Sequence, residues 1–162
     1  MLRIWAPIAV CVFVLTLMGA VLTLKPIDES GYNALVKQHA GRVVLMDIWA
    51  AWCEPCRAEM PDLVKLSKQL APKGLDYVTV SIDSPGELSY AEKFLRRNLV
   101  PFPAYYRKSR DEDGWIRNVN PQWTGTLPAV FLYDRSGKLA HSYIGTQPPG
   151  TIESAIRELL GR

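Results

Sequence analysis

The stretch VVLMDIWAAWCEPCRAEMP, residues 43–61, limits what this chain can fold into more than any other feature. Val43–Trp49 is a nearly unbroken apolar run, the pattern of a strand covered on both faces. It feeds directly into two cysteines, Cys53 and Cys56. Between them, Pro55 offers a first-turn helix position, where a missing N–H costs nothing. Met60, Leu63, Val64, Leu66 and Leu70 then recur at helical spacing until Pro72 and Gly74 stop the run. Residues 75–82 (LDYVTVSI) read as a second buried strand and 88–98 as another amphipathic helix. Strand, helix, strand with short connections is a βαβ unit, and its crossover is expected to be right-handed.

Further along, the pattern changes. Ala129–Tyr133 and residues 138–143 are predicted strands, separated by the hairpin signal DRSG at 134–137. Thr151 is placed to cap a closing helix that runs through Leu160, and residues 32–39 are expected to form a short helix before the first strand. The fold class is therefore α/β, with a mixed central sheet, parallel in its centre and antiparallel at one edge, covered by helices on both faces. Residues 107–122 (RKSRDEDGWIRNVNPQ) mix charges with Gly114 and Pro121 and fit no repeating element. They are read as a surface insertion, either a solvated loop or a partner-recognition surface.

The N-terminal end is of a different kind. Residues 4–24 carry no charge, and about 20 such residues suffice to cross a bilayer core as a helix. Arg3 and the amino terminus precede the run, so the positive-inside rule keeps the N-terminus in the cytoplasm and places everything after Lys25 on the far side. The alternative is a cleaved export signal. Such signals have a shorter apolar region and a small-x-small cleavage site, whereas Gly19 and Ala20 sit inside this run. The expectation is a signal-anchor segment over 1–25 and one domain over 26–162, exported on either reading. Composition agrees with a globular domain, at 48% hydrophobic and 22% charged residues. The net charge of +3 is too small and too evenly spread to make nucleic acid the main partner.

Of the three cysteines, Cys11 lies in the apolar run and reads as a small apolar residue there. The other two are too few for a disulfide framework. Cys53 stands where a strand ends and a helix begins, and unpaired N–H groups there stabilise a thiolate. Cys56, one turn deeper, can close a ring with it and is too sheltered to lead an attack. That arrangement suits a dithiol that cycles. Structural zinc needs four ligands, and His39 and His141 are single and distant in sequence. Two soft thiolates do suffice for Cu(I), so a copper-handling protein stands as an alternative, as does a non-catalytic docking module. A bridge across two residues closes almost no loop entropy and so serves poorly as a staple.

The ordered set WCEPC, a helix with Pro61 five residues past Cys56, and TLPAVFLYDRSGKL resembles the thioredoxin fold. More narrowly, it is similar to the membrane-anchored TlpA/ResA-like thiol-disulfide reductases, over residues 30–160. The resemblance implies a three-layer thioredoxin-like fold. It makes Pro128 a cis-proline facing the cysteines, Asp47 the buried acid of thioredoxins, and Glu59 an acid beside the pair. It also leaves the backbone at Leu127 free to pair with an incoming peptide as an added strand would. Cys53, Cys56, Asp47 and Glu59 are then the expected catalytic residues, and Trp52, Leu127 and Pro128 the expected substrate-binding ones. Glu54 and Pro55 are expected to tune the redox pair. The charge of Glu54 disfavours the Cys53 thiolate, which leans toward a reductase. Asp47, within an apolar strand, is expected to have a raised pKa and to take the proton of Cys56.

The expected activity is thiol–disulfide exchange on protein disulfides, in cytochrome c maturation or extracytoplasmic thiol homeostasis, by a monomer that needs no cofactor and no metal. In an oxidising compartment a reductase requires electrons from a membrane protein, which accounts for the anchor. The expected location is the bacterial cytoplasmic (inner) membrane, crossed once, with the catalytic domain on the periplasmic side.

Overall fold

A computed structural model describes residues 23–161. Residues 1–22, with Cys11 and nearly all of the expected anchor, lie outside the described residues. Among those described, no helix is long and apolar enough to cross a membrane. Leu24, at the end of the apolar run, is buried, and its N–H donates to Glu92 Oε1 at 3.0 Å.

The element order is β1 (Lys25–Ile27), α1 (Glu29–Gln38), β2 (Val43–Trp49), α2 (Glu54–Leu70), β3 (Leu75–Ser81), α3 (Leu88–Arg97), β4 (Tyr105–Arg107), α4 (Glu112–Val119), β5 (Ala129–Tyr133), β6 (Leu139–Ile144) and α5 (Thr151–Leu160). The strands form one sheet in the order β1-β4-β3-β2-β5-β6. β2 lies parallel to β3 and antiparallel to β5, so it joins the parallel part to the antiparallel edge.

Every residue of β2 is buried, Asp47 included, as its nearly unbroken apolar run leads one to expect. The two faces still differ, because side chains alternate along a strand. Val43, Leu45 and Trp49 pack with α2, α3 and α5. Val44, Met46 and Ile48 pack with α1 and α4. Asp47 has the parity of the first set, which puts its carboxylate on the α2 side of the sheet. The same parity places Tyr77 of β3 there, and Tyr77 is paired with Leu45.

The hairpin forms at the predicted place. Asp134 Oδ1 accepts from the N–H and hydroxyl of Ser136 and from the N–H of Lys138, while Gly137 takes φ +79°. Two local expectations are corrected. Thr151 is the first residue of α5 and not its cap; Gly150 caps with φ +82° and offers no side-chain acceptor. Residues 107–122 are not a surface insertion, since they contain α4 and a part of the core. Asp111 caps α4 by accepting the Gly114 N–H at 2.8 Å, Glu112 and Asp113 sit in the positive first turn, and Arg117 sits in the last. The charges that read as a loop are the helix's own end signals. Trp115 and Val119, spaced i and i+4, turn inward and are buried. Trp115 packs edge-on against Tyr32 of α1 at 5.7 Å and Trp123 at 6.2 Å.

Candidate active site

β2 delivers the chain to one end of the sheet, and residues 50–53 turn it into α2. Cys53 is the N-cap of α2, and its Sγ accepts the Cys56 N–H at 3.3 Å. The sulfur therefore sits on the positive end of a long helix. The two cysteines are joined by a disulfide, with Cα atoms 5.3 Å apart. Cys53 is 5% exposed and Cys56 1%, so an incoming group meets Cys53 first. Trp52, next to it, is 60% exposed. Glu54 and Pro55 occupy the exposed first turn of α2.

The register of β5 on β2 pairs Ala129 with Ile48. Leu127 and Pro128 consequently lie at the end of the sheet from which the cysteine turn departs. The Leu127-Pro128 peptide is cis, and the Pro128 carbonyl accepts from Gly145 N–H at 2.8 Å. A second cis peptide, Phe102-Pro103, precedes β4 and had no signal in the sequence.

Asp47 is 1% exposed, and its Oδ2 accepts from the Tyr77 hydroxyl at 2.8 Å. Burial pushes its carboxyl up to about 7, opposed in part by that hydrogen bond. Glu59, on the first turns of α2, is also pushed up to about 7, by burial first and then by the charge of Asp47. Its Oε1 is buried without a hydrogen-bond partner among the described residues. Tyr77 is raised well above the usual phenol range by burial and then by the Asp47 charge, so it stays a donor. Asp47, Tyr77 and Glu59 thus form one acidic cluster on the face that carries Cys56, Met60 and Leu63.

The elevated Asp47 pKa has a consequence for stability. Unfolded, the group ionises near 3.8; folded, it holds its proton to about 7. The native state therefore binds more protons between those values, and stability is lost as pH rises through the interval. Asn at this position keeps an acceptor for Tyr77 and has no charge to bury. Asp47→Asn is expected to unfold with the parent's free energy near about pH 3.5 and to exceed it by on the order of 3 kcal/mol at about pH 8. Urea titrations across that range check it; a difference independent of pH would refute the buried-charge account.

Sequence reasoning missed Tyr77, because which residue of β3 reaches Asp47 depends on inter-strand register. It also missed Asp83. This residue is 3% exposed, and both its carboxylate oxygens accept the Ala51 N–H, at 3.0 and 2.9 Å. The Ser81 hydroxyl donates to it at 2.6 Å. Asp83 therefore ties the end of β3 to the turn that carries Trp52 and Cys53.

This geometry, a Cys-x-x-Cys disulfide capping a helix at the end of a mixed sheet, has counterparts. The AhpC/TSA family model matches residues 20–142. The chain belongs to the AhpC/TSA family. Thiol-disulfide oxidoreductase ResA of Geobacillus kaustophilus is 28% identical over 132 residues, covering 82% of this chain and 71% of that protein. Thioredoxin-like protein YneN of Bacillus subtilis is 28% identical over 127 residues, covering 78% and 71%. Among solved structures, a Chlorobium tepidum protein described as thiol:disulfide interchange protein DsbE superposes with a TM-score of 0.63 at 29% identity, covering 78% of this chain and 85% of that one. A thioredoxin family protein from the same organism reaches 0.65 at 22% identity and supports the thioredoxin-like fold. The resemblance read from WCEPC and TLPAVFLYDRSGKL is thereby borne out.

Proposed function

We propose that this member of the AhpC/TSA family is an exported, membrane-anchored reductase of protein disulfides, within the thiol-disulfide oxidoreductase class of its relatives. The observation that carries the reading is the Cys53–Cys56 disulfide at the N-terminus of α2, on the face of the buried Asp47 carboxyl. In the reduced protein, the Cys53 thiolate attacks one sulfur of a substrate disulfide. A mixed disulfide forms, and the substrate's other sulfur leaves as a thiolate that takes up a proton. Cys56 then loses its proton to Asp47, directly or through water, and attacks Cys53 Sγ. The second substrate sulfur leaves as a thiolate that takes up a proton, and Cys53–Cys56 is oxidised.

A base of pKa near 7 suits this work near neutral pH, because it is often unprotonated yet basic enough to accept. Glu59 can act from the more solvated side of α2, the helix that carries Cys56. Trp52, Leu127 and Pro128 form the substrate-binding edge, with the backbone at Leu127 pairing to an extended segment. Glu54 and Pro55 set the redox balance of the pair. Two electrons from a membrane-embedded thiol protein regenerate the dithiol, and the apolar run ahead of Leu24 holds the domain beside it. Disulfides of apocytochromes and of other extracytoplasmic thiol proteins are the substrates this arrangement serves.

A Cys56→Ala variant expressed in native membranes tests the reading. It is expected to accumulate mixed disulfides through Cys53 with exported proteins, and a reporter fused after Arg162 is expected to be active only outside the cytoplasm. Stoichiometric Cu(I) binding without disulfide turnover, or a reporter active in the cytoplasm, would overturn it.

A further inference from the structure

On the α3 side of the cysteine turn lies a groove of about 400 Å³ that shares only Trp52 with the substrate-binding edge. Its near wall is Ala51, Trp52 and Arg57, the last of these one residue past Cys56. Its far wall is the face of α3 that carries Tyr90, Lys93, Phe94 and Arg97, spaced by three and four residues. Tyr90 and Trp52, at 68% and 60% exposure, are two of the few large apolar side chains left open to solvent. The Arg57 guanidinium lies 5.8 Å from the centre of the Phe94 ring.

The charges in this groove are not balanced. Two carboxylates line it, Asp83 and Glu87, and each is already committed within the fold. Asp83 accepts from the Ala51 N–H and the Ser81 hydroxyl. Glu87 accepts from the N–H and hydroxyl of Ser84. Lys93 and Arg97 have no carboxylate partner among the described residues. Three cations thus face two carboxylates beside the redox pair, an excess of one positive charge. Arg57 donates to the Ala51 carbonyl, and Lys93 and Arg97 on the α3 wall are the cations left without a direct acid partner among the described residues.

We propose that this groove is a subsite for the disulfide-bearing substrate polypeptide, taking an acidic segment next to the cysteine under attack. The inference rests on the exchange reading and adds a substrate class to it. Charge complementarity at a groove's rim acts on encounter and on discrimination between partners, while the aromatic walls receive the aliphatic parts of the segment.

Synthetic peptides with one internal disulfide, flanked by two Glu, two Gln or two Lys, test it. The full chain is first reduced, and the second-order rate constant for oxidation of its cysteine pair is measured with each peptide. The Glu peptide is expected to react roughly tenfold faster than the Gln peptide and faster still than the Lys peptide, with the order collapsing at about 0.5 M salt. Lys93 and Arg97 are exposed, so the Lys93→Glu/Arg97→Glu variant has no buried partner to lose. It should reverse the order while reducing the small neutral 2-hydroxyethyl disulfide at the parent's rate. Equal rates for the three peptides, or a preference that survives the double reversal, would overturn the subsite. A reduced chain that reacts with neither the peptides nor 2-hydroxyethyl disulfide would overturn the exchange reading itself.

Discussion

Cys53→Ser is expected to lower the rate of reduction of a model protein disulfide by roughly three orders of magnitude or more, because no leading nucleophile remains. Cys56→Ser is expected to fail differently. Attack proceeds, resolution does not, and the protein accumulates as a mixed disulfide with its substrate. The difference follows from position: Cys53 caps α2 and is the more exposed of the two, whereas Cys56 is enclosed beneath it. In the same assay, Asp47→Asn should slow release of the mixed disulfide near neutral pH by roughly 10²-fold and leave the first attack nearly unchanged. Non-reducing electrophoresis of quenched reactions separates the two steps. If Cys56 proves the more readily alkylated thiol, the roles are reversed; if Asp47→Asn and Glu59→Gln together leave the pH profile of resolution unchanged, neither carboxylate is the base.

The second large effect concerns stability and falls far from the cysteines. Trp115 is fully buried on the α1 side of the sheet, between Tyr32 and Trp123. Trp123 in turn meets Phe131 of β5 at 5.4 Å, so one aromatic stack joins both helices of this face to a central strand. Trp115→Ala removes the middle of that stack and leaves a cavity that a rigid sheet cannot close. It is expected to cost about 3–5 kcal/mol of unfolding free energy, read as a lower urea midpoint at unchanged slope. Trp115→Phe should cost far less, because it keeps the ring and removes an indole N–H that has no partner among the described residues. A loss below about 1 kcal/mol in Trp115→Ala would mean that α4 is not part of the core.

These predictions differ in how far the sequence foretold them. The strand VVLMDIW, the cysteine turn and the helix through Leu70 were legible because each is a local pattern: a nearly unbroken apolar run, a Pro at the helix start, apolar residues at helical spacing. Ten-residue α3 and α5 and the 134–137 hairpin were legible for the same reason. Strands β1 and β4 were not. Each has three residues, too few to display a period, and each exists because a neighbouring edge offers it hydrogen bonds. α4 was misread because a short helix with two inward residues carries more charge than pattern, and its caps look like loop residues.

The candidate site divides along the same line. By itself, the sequence determined that one cysteine would cap a helix at the end of a buried strand with a second in its first turn, and that one carboxylate would be trapped within that strand. Neighbouring residues in the chain suffice for both. Only the tertiary structure decided which groups would meet them. Strand register brings Tyr77 to Asp47, the packing of α2 brings Glu59 within reach of the Asp47 charge, and the turn after β3 brings Asp83 to the Ala51 amide. Those contacts join residues 12 to 32 positions apart along the chain, as far apart as Ala51 and Asp83. Their energy comes from burial and from hydrogen bonds that form only once the sheet has chosen its order, so no periodicity in the chain announces them.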